Sequence, residues 1–383
     1  MKKRLLSLLI VFTLIFSMTA CGQTKPNNNS EIHTENNTEI NTEDNSVAIT
    51  QYPITVTDQA GREVTIESEP QKLVSGYYIS TSLLIALDLD EKLVGIEAKA
   101  AKRPIYKLSA PELIDLPNVG TAKEFDLEGC IALEPDLVIL PMKLKNTAES
   151  LEKLNIDVLY VNPESQELLT EMMTLIGTAT NTQKETKALM DFMAKHETTL
   201  TSALANADAP SVYLAGNSSM LSTAGSAMYQ SDMITLAGGK NVASDIKDTY
   251  WVEIDYEQLL TWNPEYIILA SDATYTVDDV LADPNLAECS AVKNNKVYQM
   301  PSKAESWDSP VPSGILGSVW LATILHEDLF SAADASAIID EYYETFYDFK
   351  YSEKYTLYHS QCNHYDCIGY CQFICRKVSF INR

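Results

Sequence analysis

The stretch FDLEGCIALEPDLVIL (125–140) decides the fold, because the chain writes its pattern twice. The second copy is IDYEQLLTWNPEYIIL (254–269). Asp126 aligns with Asp255, Glu128 with Glu257, Pro135 with Pro264 and Asp136 with Glu265, and the copies close in LVIL and YIIL. The aspartate is placed to cap a helix by accepting hydrogen bonds from free amides. The glutamate two residues on falls in the first turn, where the helix dipole favours negative charge. About two helical turns follow before proline forbids continuation. The closing run has the length and apolarity of a buried parallel strand. Each copy is therefore a short helix feeding a core strand. Their wide separation indicates two similar lobes rather than a solenoid, which repeats at short periods.

Outward from the first copy, ITVTDQAGREVTI (54–66) alternates apolar and polar around Ala60-Gly61, a hairpin signature. LVSGYYISTSLLIALDLDEKLVGI (73–96) reads strand, loop, helix, turn, strand, and its loop carries Tyr77 and Tyr78. A loop with Lys99, Lys102, Arg103 and Lys107 follows. Beyond the first copy, 148–154 reads as a helix and IDVLYVN (156–162) as a strand. Residues 166–205 carry no strand signal. Gly177 and Asn181 punctuate them, and 182–205 reads as a helix long enough to reach about 35 Å, a strut between lobes or an ordinary surface helix. SVYLAGN (211–217) and KVYQMP (296–301) read as strands, 231–236 and 277–281 as helices, and 313–325 and 332–346 as closing helices.

At 383 residues the chain is long enough for two ordinary domains. Its formal charge of −25 argues against a general nucleic-acid binder, which needs basic surface. Lys2, Lys3 and Arg4 precede an apolar run at 5–16 and then Ser17-Met18-Thr19-Ala20-Cys21. That run is too short for a membrane span and reads as a secretory signal over 1–20. Its end resembles a bacterial lipoprotein lipobox, which implies cleavage before Cys21 and lipid on its sulfur. Residues 21–50 are then a polar tether with too few apolar residues to fold.

With these pieces in order, residues 54–349 resemble the helical-backbone substrate-binding proteins of ABC importers, the group that binds ferric siderophores, haem and cobalamin. The resemblance rests on the two repeats, Pro117-Asn118-Val119-Gly120, Gly238-Gly239-Lys240-Asn241-Val242 and the mid-chain helix. It implies an α/β protein of two Rossmann-like lobes with central sheets, joined by one long helix, with a ligand cleft between them. The expected domains are an N-terminal lobe at 51–165, helices including the interlobe helix at 166–206, a C-terminal lobe at 207–350 and a tail at 351–383. It further implies that Glu128 and Glu257 dock on arginines of a permease dimer. A favourable charge at a helix start is the plain alternative for both.

Open α/β sheets bind ligands beyond the carboxyl ends of their strands. That rule nominates Tyr77, Tyr78, Lys102, Arg103, Met142, Lys143, Asn217, Ser218, Tyr250, Trp251, Asp272, Trp307 and Asp308. Aromatic walls with a few polar groups suit a bulky chelate or macrocycle. The competing explanations are packing for the aromatics and solvated surface for the lysines. The expected protein is a monomeric, lipid-anchored receptor on the extracytoplasmic face, without a cofactor, delivering an iron chelate, haem or cobalamin-type ligand. An oxyanion of the molybdate type is the alternative within the same importer class. An extracellular enzyme is less favoured, because G-x-S-x-G, HExxH and P-loop motifs are absent from the sequence. A bare-metal carrier is disfavoured because His196 and His326 are the body's only histidines. In the tail, Cys362, His364, Cys367, Cys371 and Cys375 are a weak alternative metal set without standard spacing, set against a terminal appendage, such as a shifted reading frame would add, with disordered or mispaired thiols.

Overall fold

The computed structural model describes residues 49–247 and 251–357. The leader, Cys21, nearly all of the tether, Tyr250, and Cys362, His364, Cys367, Cys371 and Cys375 lie outside the described residues. Among the described residues no helix is long and apolar enough to cross a membrane.

Strands β1 (Ile54–Thr57) and β2 (Glu63–Ile66) form the expected hairpin, with Ile54 opposite Ile66. The first lobe then runs β3 (Leu73–Ser75), α1 (Tyr78–Ala86), β4 (Leu93–Ile96), α2 (Pro104–Ser109), α3 (Leu127–Ala132), β5 (Leu137–Pro141), α4 (Ala148–Glu152) and β6 (Asp157–Val161). Its sheet is parallel in the order β4-β3-β5-β6. Two helices, α5 (Gln166–Ala179) and α6 (Gln183–Ala203), carry the chain onward.

The second lobe comprises β7 (Ser211–Ala215), β8 (Ser222–Thr223), α7 (Tyr229–Leu236), β9 (Lys240–Asn241), β10 (Val252–Glu253), α8 (Tyr256–Trp262), β11 (Tyr266–Leu269), α9 (Val277–Leu281), α10 (Ser290–Lys293), β12 (Val297–Gln299), α11 (Ile315–Leu325), α12 (Ala332–Tyr347) and α13 (Tyr351–Lys354). Its strand order is β10-β8-β7-β11-β12, with β9 also on β7. Strands β7, β9, β11 and β12 are parallel, β8 runs against them, and β10, antiparallel to β8, runs in their direction again.

The repeat explains why the lobes match. Asp126 accepts the amide of Gly129 at 2.9 Å and Asp255 that of Gln258 at 2.8 Å, so both are the helix caps their positions predicted. The residue before each proline turns left-handed, Glu134 at φ 49° and Asn263 at φ 44°. The acid after each proline ties down the start of a neighbouring strand. Asp136 accepts the amides of Gln71 and Lys72 at 2.8 and 2.9 Å, and Glu265 accepts that of Ser211 at 2.8 Å. The strands that follow, β5 and β11, have partners on both sides. This explains their unbroken apolar sequences.

Helix α6 spans 21 residues, about 32 Å. It packs against α5, α7 and α11. Asn181 does break the helical stretch, at φ 58°. Gly177 does not: it lies inside α5, where a side chain would collide with Thr186 at the start of α6. Its role is close helix contact rather than punctuation. Helix α11 is buried on every side, as its uniformly apolar sequence requires.

Candidate ligand site

A cavity of about 200 Å³ lies between the lobes. Its walls come from segments that follow the carboxyl ends of parallel strands: Tyr78 after β3, Lys102 and Arg103 after β4, Asp272 after β11, and Glu305 and Ser306 after β12. This is the placement expected of open α/β sheets.

Arg103 is displayed by its neighbour. Pro104 opens α2, and a residue before proline is held extended, here at φ −91° and ψ 109°. The guanidinium stacks on Tyr78, 4.1 Å from the ring centroid. Its Nε is buried and has no hydrogen-bond partner. Tyr78 in turn meets Tyr77 edge-on, with ring centroids 5.3 Å apart, and reaches Ser309 of the other lobe at 3.4 Å.

Beside the cavity lies a buried hydroxyl cluster, Ser75 at the end of β3 and Ser80, Thr81 and Ser82 in the first turns of α1. Thr81 donates to Glu97 at 2.7 Å, and the Tyr106 hydroxyl donates to the same carboxyl at 2.7 Å. Ser82 donates to Glu305 at 2.5 Å and Ser313 to its other oxygen at 2.7 Å. Burial pushes both carboxyls above the ordinary range, while these hydroxyls and the nearby Arg103 pull them back. Neither glutamate was singled out from the sequence, nor was Tyr106. The available signal was Ser80-Thr81-Ser82, three small hydroxyls in an otherwise apolar helix.

Tyr77, Met142 and Lys143 line a second, smaller pocket of about 70 Å³ with Asn162 and Glu164. Burial raises the Glu164 carboxyl and Lys143 opposes the rise. The nominated set thus divides between two adjoining pockets. Tyr78, Lys102, Arg103 and Asp272 face the larger, and Tyr77, Met142 and Lys143 the smaller.

Five nominations are corrected. Trp307 is 1% exposed, with its indole N–H donated to Tyr343 at 2.9 Å, so it is core rather than cleft wall. Asp308 is buried and spent on Ser271, accepting its amide at 3.0 Å and its hydroxyl at 2.5 Å. Asn217 and Ser218 are exposed on the loop after β7 and line neither pocket. Trp251 is half-buried and covers Gly216, where an added Cβ would come within 3.0 Å of its ring. Like those two it lines neither pocket, and Tyr250 lies outside the described residues. Glu128 and Glu257 are exposed in the first turns of α3 and α8. Among the described residues no three metal-ligating side chains cluster.

Two α/β lobes with a cavity at the carboxyl ends of both sheets define a solute-binding protein. The chain belongs to the periplasmic binding protein family, whose model matches residues 73–304, and is a substrate-binding protein of an ABC importer. The family is one of binding proteins, not enzymes. The chain is 26% identical over 324 residues to the molybdate-binding protein MolA of Haemophilus influenzae, covering 77% of this chain and 91% of that one. It is 27% identical over 263 residues to the ABC transporter substrate-binding lipoprotein YvrC of Bacillus subtilis, covering 65% and 78%. It is 26% identical over 219 residues to a vitamin B12-binding protein of Pectobacterium atrosepticum, covering 53% and 73%. The structure of MolA with molybdate bound superposes with a TM-score of 0.69 at 24% identity, over 78% of this chain and 99% of that one.

Proposed function

We propose that the protein captures a small oxyanion of the molybdate type and delivers it to an ABC permease from a lipid anchor at Cys21. The observation that carries this reading is the Arg103 guanidinium, which lines the cavity with its Nε buried and unpartnered. A buried cationic donor without an acceptor is costly, and an anion would satisfy it. Lys102 adds a second positive charge to the same wall. The cavity, at about 200 Å³, falls below the roughly 300–1,000 Å³ usual for drug-sized ligands. Size and charge therefore reverse the order reached from sequence, which placed chelates and macrocycles first. The similarity to MolA over most of both chains supports the same reading.

Titration calorimetry of the purified protein with molybdate, tungstate, sulfate, cobalamin, haemin and a ferric siderophore tests it. Saturable molybdate binding is expected. Arg103→Gln should weaken it roughly ten- to a hundredfold, the worth of a charged hydrogen bond of about 1.5–3 kcal/mol. Saturation by cobalamin with no heat from molybdate would overturn the oxyanion reading in favour of the vitamin.

A further inference from the structure

Arg103 makes no ion pair within 4.0 Å of a carboxylate among the described residues, yet its charge is felt by two buried ones. Glu97 is 5% exposed and Glu305 is 8% exposed, and Arg103 favours the ionised form of each against desolvation. We infer that the anion enters this cavity together with one proton, taken from solvent onto a carboxylate oxygen of Glu305, on the cavity wall, or of Glu97, buried behind Tyr106. The inference rests on the oxyanion reading and adds to it a second, coupled ligand.

The argument is electrostatic. An anion paired with Arg103 cancels the field that supports the two carboxylates. It also places a like charge beside Glu305, which lines the same cavity. Both effects disfavour an ionised glutamate. The hydrogen bonds around the pair accept either state, because a hydroxyl both donates and accepts. Thr81 has alternative acceptors in Ser75 Oγ at 2.8 Å and the Tyr77 carbonyl at 3.2 Å. It can turn to them and accept from a protonated Glu97. Ser82 has the Tyr347 hydroxyl at 3.0 Å and can do the same for Glu305. No side chain has to move.

The other groups facing the pair do not supply the proton. Glu305 is faced by Arg103 from the α2 side and by Tyr342, Tyr343 and Tyr347 from α12, while Glu97 is faced by Arg103 and Tyr106. Burial holds these phenols well above their usual range, so they stay protonated near neutrality. Lys102 and Asp272 lie on the cavity wall, and Asp272 already accepts from Ser306 at 3.1 Å.

The test is calorimetry with molybdate, a dianion throughout the range used, in paired buffers of different ionisation enthalpy from about pH 6 to pH 8.5. Uptake approaching one proton is expected, with affinity falling up to roughly tenfold per pH unit on the alkaline side. A double Glu97→Gln, Glu305→Gln variant should bind molybdate with no proton uptake and a flat pH profile. Molybdate binding by the parent with no uptake overturns the coupling and leaves the proposed function standing. Uptake undiminished in the double variant overturns the assignment to this pair. If molybdate does not bind at all, both fall. Should the double variant fail to fold, the parent's buffer-dependent heats decide alone.

Discussion

Ser82 in the first lobe donates its hydroxyl to Glu305 in the second at 2.5 Å, and both residues are buried. The contact belongs to a seam. The Tyr347 hydroxyl donates to the Ser82 carbonyl at 3.2 Å, and Ser109 donates to the Tyr347 carbonyl at 2.7 Å. The lobes are therefore joined behind the cavity as well as through α5 and α6, which argues for modest closure on ligand binding. Ser82→Ala leaves Glu305 with one hydroxyl donor and should cost about 1–3 kcal/mol. Urea denaturation reads this as a lowered midpoint at unchanged slope. A midpoint equal to the parent's would show that the seam contributes nothing net.

The repeat predicts a matched pair of cap effects. Asp126→Ala and Asp255→Ala each remove a side-chain acceptor from a first-turn amide. Each should cost about 0.5–2 kcal/mol. The two caps share no partner, so the double variant should equal the sum within about 0.5 kcal/mol. A large deviation would mean that the lobes do not unfold as one cooperative unit.

What the sequence made legible follows from which signals are local. Asp126 and Asp255, the prolines and the apolar runs each act within a few residues, so helix caps, stops and core strands were readable. The carboxyl-end rule nominated Tyr78, Lys102, Arg103 and Asp272, which line the cavity, because loop position follows from strand direction. It could not find Glu97 and Glu305, whose surroundings are assembled from α1, α2, the turn before α11, and α12. It misplaced Trp307 for the same reason. An indole at the end of a strand and an indole beneath α11 look alike until Tyr343, 36 residues on, supplies its acceptor.

Trp307 should therefore act on stability and not on binding. Trp307→Phe keeps an aromatic ring but leaves the buried Tyr343 hydroxyl without its indole donor. Loss of about 1–3 kcal/mol is expected in denaturant titrations. Molybdate affinity should stay within twofold of the parent's. A selective loss of affinity at unchanged stability would return Trp307 to the cleft.

Glu128 and Glu257 occupy the same position in the two copies of the repeat, exposed at the first turns of α3 and α8. If they meet permease arginines, a double Glu→Ala variant should lose uptake in cells or proteoliposomes while keeping ligand affinity. Its thermal midpoint should shift only slightly, since each loses only a helix-dipole contribution of about 0.3–1 kcal/mol. Uptake at the parent's rate would remove these residues from the docking surface.

His196 predicts a pH effect on stability whose sign is fixed by its surroundings. It lies on α6, 3% exposed, its ring tilted against Phe192 with centroids 4.3 Å apart, and neither ring nitrogen has a hydrogen-bond partner. Glu341 stands 3.9 Å from Nε2, too far for a hydrogen bond. Burial, and then the adjacent Lys195, push the imidazole below its ordinary value, outweighing Glu341. In the unfolded chain it gains a proton below about pH 6.5, but in the native protein only at lower pH. The unfolded state thus binds more protons in that window, and stability falls as pH drops from about 6.5 through the native value. The buried carboxyls Glu97, Glu305 and Asp308, raised by desolvation, act in the opposite direction in parent and variant alike. The difference between parent and His196→Leu isolates the histidine. The variant should lose less stability than the parent between about pH 6.5 and pH 5. Parallel pH profiles would mean that the native imidazole finds a partner when it is protonated.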